Sequence, residues 1–185
     1  HIEVNVSFTD KIGNLRNSLY FSKSYNEIFA KYDNSHFVIM KLNKNNKESY
    51  LPLLLHVIND YYEGYSSYGY GGIVGNIDHL SKDDFRKIIE FCKSNKIIDI
   101  FIRNAPFLNN HKIIPDEFNF FNRVTYIKEL KLYKSFDEFT RVLNQKLRWS
   151  INAAPKNNLE VKIKKYNEIT DKDLDNFYSL YNKVM

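Results

Sequence analysis

The 185-residue chain predicts a layered fold of alternating helices and strands, of the α/β or α+β class. Three observations carry that expectation. Several segments open with a hydroxyl residue and an acid three positions later, the signature of a helix start. Between them lie runs of Ile, Val, Leu and Phe of strand length. The apolar fraction of 43%, with 16% aromatic residues, is enough to fill a core and argues against general disorder.

The elements follow in order. Ser24-Tyr25-Asn26-Glu27 has capping-box spacing and predicts a short helix to about Tyr32. His36–Met40 reads as a strand, Asn43–Asn46 as its turn, and Tyr50–Ile58 as the returning strand, with Pro52 marking an edge, a bulge or a strand start. Ser66-Ser67-Tyr68-Gly69-Tyr70-Gly71-Gly72 has too many glycines for a regular element. Flexible backbone beside flat rings with hydroxyls suits a loop that touches a ligand, and equally a turn whose tyrosines pack back on the sheet. Ser81-Lys82-Asp83-Asp84 starts the clearest helix, with Phe85, Ile88, Ile89 and Cys92 on one stripe, which makes Cys92 a core residue. Ile97–Ile102 reads as a strand buried on most sides and leading to Arg103. Phe118–Asn122 reads as a loop or short turn, and Val124–Leu132 as a further strand. Ser135 caps a helix carrying Phe139, Val142, Leu143 and Leu147 inward. Leu159, Val161 and Ile163 alternate with charged residues as a strand. Thr170 caps a last helix with Leu174, Phe177, Tyr178, Tyr181 and Val184 on its apolar side.

Charge and cysteine content narrow the functional classes. The chain holds 27 Lys/Arg against 22 Asp/Glu, and the excess lies in residues 131–185, with 11 against 7. That balance suits an anionic partner or simply a lysine-rich surface. Cys92 is alone, so no intramolecular disulfide forms, and the five histidines are scattered without metal-ligand spacing. No run is long enough to span a membrane and no secretory pattern opens the sequence, so a cytoplasmic protein without a transmembrane segment is expected.

Four segments in order resemble the FemAB-type peptidoglycan aminoacyltransferases and their relatives. Leu51-Pro52-Leu53 followed by Ser67-Tyr68-Gly69-Tyr70-Gly71-Gly72 is similar to the family's "lpl…spYGYgGp" stretch. Phe101-Ile102-Arg103-Asn104-Ala105-Pro106-Phe107 resembles its "fiRfhPl" strand end. Lys146, Arg148, Ile151, Ala154 and Lys156 fall on its basic helix, and Phe177, Leu180, Tyr181 and Met185 on its "F-x-x-L-Y-x-x-T-M" helix. The chain departs from the pattern at Asn152-Ala153, where the family has Arg-Lys, at Pro155 inside the basic helix, and at Val184, where threonine is usual. Two lost positive charges weaken an anion site.

The resemblance implies an α+β, GNAT-like (acyl-CoA N-acyltransferase-like) mixed sheet flanked by helices over residues 1–155. The first strand and helix of a truncated second such domain follow over 156–185. It implies a transferase that forms an amide on a cell-wall or surface-glycan precursor, with aminoacyl-tRNA or acyl-CoA as donor and no permanently bound cofactor. Family members keep the donor site in the second domain, so this chain alone is expected to be inactive. By that comparison Tyr68, Tyr70, Gly71 and Arg103 bind the acceptor, and Lys146 and Arg148 meet phosphates of the acceptor or of tRNA. The acceptor is a cell-wall or nucleotide-linked sugar precursor. An incomplete second domain also makes a homodimer a candidate assembly.

The residues themselves leave the alternatives open. Amide formation needs a neutral amine, oxyanion donors and a proton acceptor, and no nucleophile–base–orienter set is legible. Arg103 at a strand end suits a phosphate clamp or an ordinary ion pair. Lys146 and Arg148 are two residues apart and do not share one helix face, and Lys156 lies beyond a proline. Trp149 suits ring stacking or a core anchor. A CoA-dependent N-acyltransferase acting on a sugar amine is the second reading, and it needs an anion-binding turn at a helix start, which no glycine-rich segment here supplies. A non-catalytic GNAT-like binding domain is the third.

Overall fold

The computed structural model describes residues 4–11, 18–122, 124–125, 127–157 and 161–185, which divide into two units, His1–Thr125 and Tyr126–Met185. In the first, strand β1 (Asn5–Thr9), which the sequence reading does not anticipate, leads to a 3-10 turn at Leu19–Phe21 and helix α1 (Lys23–Tyr32). The cap of α1 is Ser22 instead of the expected Ser24. Ser22 has the extended backbone a cap requires, and its hydroxyl accepts the Tyr25 N–H at 3.3 Å while donating to the Leu19 carbonyl at 2.8 Å. Ser24 sits inside the first turn.

Strands β2 (His36–Lys44) and β3 (Lys47–Ile58) form an antiparallel hairpin longer than expected, because its turn is only Asn45-Asn46. Both asparagines adopt positive φ, 56° and 59°, the conformation of a two-residue turn that matches strand twist. The Lys44–Lys47 pair closes that turn, so odd-numbered residues of β3 turn their backbone groups toward β2 and even-numbered ones turn away. On the far side, β5 (Val74–Gly75) pairs with Ser49 and Tyr50, and β4 (Tyr61–Tyr65) pairs from Leu54 onward. Pro52 falls between these two partners, where its missing N–H breaks no ladder bond. It is neither at an edge nor at a strand start.

Helix α2 (Lys82–Ser94) has the predicted box, Ser81 and Asp84 satisfying each other's backbone amides. It carries the chain across to β6 (Ile97–Phe101), which runs parallel to β4. The result is an α+β arrangement: a mixed six-stranded sheet in the order β1-β2-β3-β4-β6, with β5 beside β3, flanked by helices. One face packs Met40, Leu42, Leu51, Leu53 and Leu55 against Ile88 and Cys92 of α2. Burial pushes the Cys92 thiol up to about 11, as befits a core residue. The other face packs Phe21, Ile39, Tyr50, Val74 and Ala105. Strand β6 is less buried than its sequence suggests. It has β4 as its one strand neighbour among the described residues, and Ile98 and Phe101 are exposed.

The second unit holds helices α3 (Phe136–Arg141), α4 (Gln145–Lys156) and α5 (Asp171–Val184). No strand occurs among its described residues. No strand forms among the described residues of Val124–Leu132, which carry no regular element before a 3-10 turn at Leu130–Leu132; Arg123 and Tyr126 lie outside the described residues. Val161 and Ile163 form no strand either, and Leu159 lies outside the description. Alternating polarity makes a strand only where a neighbour completes the ladder. The helix capped by Ser135 stops at Arg141, short of Leu147, because Asn144 restarts the chain as α4 by accepting the Leu147 N–H at 2.9 Å. Helix α4 continues through Pro155 to Lys156. Thr170 caps α5 as predicted, with Asp173 completing a capping box, but its apolar side, including Leu174, Phe177 and Tyr181, is exposed.

Candidate functional site

Past Tyr65 and Phe101 the parallel pair β4–β6 stays laced by a short set of bonds. The Ser66 N–H donates to the Phe101 carbonyl at 3.0 Å, and the Arg103 N–H donates to the Ser66 hydroxyl at 3.0 Å. The chain then leaves as the loop Ser67–Tyr70 and returns at Gly71. There the Gly71 N–H donates to the Arg103 carbonyl at 2.7 Å and the Ala105 N–H to the Gly71 carbonyl at 3.1 Å. A side chain at Gly71 would drive its Cβ into Ser66, so this approach requires glycine.

The loop rests on α1. The buried Ser67 hydroxyl donates to the Asn26 carboxamide oxygen at 2.5 Å, and the Asn26 NH2 donates to the carbonyls of Tyr20 (3.0 Å) and Ser22 (2.8 Å). The Tyr25 hydroxyl donates to the Tyr68 carbonyl at 2.7 Å, and burial, with Tyr20 and Tyr68 adding to it, raises the Tyr25 phenol above its usual value. Gly69 turns with φ of 97° directly over the Tyr20 ring.

The two loop tyrosines divide between the two readings of the sequence. Tyr70 packs back on the sheet, edge-on to Tyr20 at 5.5 Å and to Phe107 at 5.9 Å. Tyr68 is 75% exposed and lies nearly parallel to Phe29, centroids 6.2 Å apart. A ring held at its backbone and left open on its face offers a stacking surface to a flat or amphipathic ligand. The Arg103 side chain is exposed at the same strand end and makes no ion pair among the described residues. Beside it, Asn104 Oδ1 and Asn110 Oδ1 are buried without a hydrogen-bond partner among the described residues, while Asn110 Nδ2 donates to the Gly71 carbonyl at 3.1 Å.

The structure thus brings Tyr68, Tyr70, Gly71 and Arg103 into one neighbourhood in the first unit. Lys146 and Arg148 belong to α4 of the second unit, both exposed, flanking an equally exposed Trp149 that anchors no core. Sequence reasoning misses Asn26, Ser66 and Tyr25. Asn26 carried a faint signal, standing one turn before Ala30 on the inward stripe of α1, where a polar residue needs a buried partner. Among the described residues no group of three His, Cys, Asp or Glu could hold a metal ion. A cavity of about 600 Å3 opens elsewhere in the first unit, lined by Asp10, Lys23, Glu27 and His36 among others, and takes no residue from the glycine loop.

Comparison of the chain with protein-family models, curated proteins and solved structures finds no match in any of the three. Among the described residues no helix is long and apolar enough to cross a membrane.

Proposed function

We propose that the first unit is a GNAT-like domain of FemAB type that binds an anionic cell-wall or nucleotide-linked sugar precursor, serving a transferase that forms an amide on it. The observation that carries this reading is the lacing of Gly71 to Arg103. It sets an uncommitted guanidinium and an open tyrosine face at the end of two parallel strands. A guanidinium takes phosphate oxygens bidentately, and an aromatic face takes the apolar side of a sugar ring. Tyr68 and Arg103 are the contact residues. Tyr70 and Gly71 hold the loop in shape.

Use of acyl-CoA as donor at this unit is disfavoured by a specific arrangement. The helix following the loop, α2, carries Asp83 and Asp84 in its first turn, and the Asp84 amide is already met by the Ser81 hydroxyl. Two carboxylates at a helix start repel the pyrophosphate that such a terminus otherwise attracts.

Isothermal calorimetry with UDP-N-acetylglucosamine and a UDP-linked muramyl peptide tests the reading. Arg103→Ala is expected to weaken binding about tenfold or more, the worth of one charge-assisted pair, with circular dichroism unchanged. Unchanged affinity in Arg103→Ala and in Tyr68→Ala would remove the assignment. Precursor binding without turnover in the presence of aminoacyl-tRNA would leave a binding domain in place of an enzyme.

A further inference from the structure

Helix α1 brings two aromatic rings to the glycine loop from outside it. The helix cap fixes the first of them. Ser22 accepts the Tyr25 N–H at 3.3 Å, and the Tyr25 hydroxyl in turn reaches the Tyr68 carbonyl at 2.7 Å. Phe29 follows four residues later, one turn along the same helix face. Its ring centroid lies 4.9 Å from that of Tyr25 and 6.2 Å from that of Tyr68, and the Phe29 and Tyr68 planes differ by 19°. Tyr25 and Phe29 are half-buried, whereas Tyr68 is exposed.

The loop itself gives Tyr68 little hold. Among the described residues the one hydrogen bond Tyr68 makes is the bond its carbonyl accepts from Tyr25. The next residue, Gly69, has φ of 97°, a conformation that glycine enters freely and that sets no side chain in place. Ordering a mobile side chain on binding costs about 0.5–1.5 kcal/mol, and a ring ordered beforehand avoids that loss. The Tyr25 phenol is suited to such a task, because burial keeps it protonated and therefore a donor through the neutral range.

We propose that Tyr25 and Phe29 are positioning residues of the acceptor site, the Tyr25 hydroxyl fixing the Tyr68 backbone and the Phe29 ring fixing its side chain before any ligand arrives. The inference rests on the acceptor reading above. It assigns part of that site's affinity to a helix that touches no ligand.

Tyr25→Phe removes one hydroxyl and keeps the ring. In the full chain it is expected to weaken UDP-N-acetylglucosamine about fivefold in calorimetry, the worth of one hydrogen bond. Combined with Tyr68→Ala it is expected to change nothing further, because its effect runs through that ring. Phe29→Leu is expected to show the same dependence on Tyr68. Hydrogen exchange read by mass spectrometry gives a measure without ligand: residues 66–71 exchange faster in Tyr25→Phe, while β2 and β3 do not. Equal weakening with and without the Tyr68 ring would overturn the proposal, as would loop exchange that Tyr25→Phe leaves unchanged. Faster loop exchange in a protein that binds no precursor would remove the acceptor reading alone and still bear out the positioning of Tyr68.

Discussion

The Ser67 hydroxyl and the Asn26 carboxamide meet at 2.5 Å inside the first unit, although 41 residues separate them. Asn26 is 1% exposed, and its NH2 also holds the Tyr20 and Ser22 carbonyls, so one side chain joins a 3-10 turn, a helix start and the glycine loop. Asn26→Leu strands all three partners and is expected to cost about 3 kcal/mol in urea unfolding, against about 1 kcal/mol for Ser67→Ala. Equal costs in the two variants would show that Asn26 serves Ser67 alone.

Pro52 yields a prediction opposite to strand propensity. Its nitrogen faces the gap between β4 and β5, so Pro52→Val places a new N–H in a buried spot with no ladder partner. The variant is expected to lose about 1 kcal/mol despite valine's preference for strands. Stabilisation measured by thermal unfolding would mean that the gap admits water.

The pH dependence of stability separates two groups at the start of α2. Burial, then the nearby Lys47, holds the His79 imidazole below its usual 6.5, with Lys44 adding to the effect and the Asn76 backbone and Asp84 opposing it. The unfolded chain then binds the proton first, so stability is full above about pH 6.5 and falls as pH drops through the window beneath. His79→Gln is expected to flatten the slope between pH 7 and 5 in guanidine melts. Asp84 acts lower. Burial raises its carboxyl, but the Lys44 ammonium at 2.6 Å and the Ser81 hydroxyl and amide outweigh that and leave it below the usual carboxylate range. Its contribution is present above the ordinary carboxylate value and lost only as pH falls through the depressed one. A slope unchanged by His79→Gln would place the titration on another group.

Cys92 is expected to resist maleimide in the folded protein. Raising its thiol from 9.0 to about 11 lowers the thiolate fraction about a hundredfold at pH 8, and burial blocks access as well. Labelling that accelerates in urea in step with unfolding fits this placement. Rapid labelling in buffer would show that α2 opens locally.

Local signals were legible in the sequence and distant ones were not. The box at Ser81–Asp84 and the stripe through Ile88 and Cys92 define α2 because every determinant lies within four residues. Strand β4, Tyr61–Tyr65, contains a glycine and three exposed or half-exposed tyrosines, and it is extended because β3 and β6 flank it. Gly64 fits there because a Cβ would come within 3.3 Å of Ile100 and of the Asp99 carbonyl. The same distinction holds at the site. The glycines and tyrosines of the loop announced themselves, while Asn26, Ser66 and Tyr25 are recruited through pairings that composition does not record. In the second unit, apolar alternation at Val161 and Ile163 suggested a strand, but no neighbouring strand is present among the described residues to form one.

Sequence separation has a consequence for the order in which the first unit is assembled and taken apart. The hairpins β2–β3 and β3–β4 close over two-residue turns and can form from nearby chain alone. The glycine loop cannot. It leans on α1, 41 and 43 residues upstream, and on Arg103, for which α2 must first carry the chain across. Its shape is therefore acquired late in folding and surrendered early on partial unfolding, so that a molecule binding Tyr68 and Arg103 together would act as a brace across segments of chain that no covalent proximity unites.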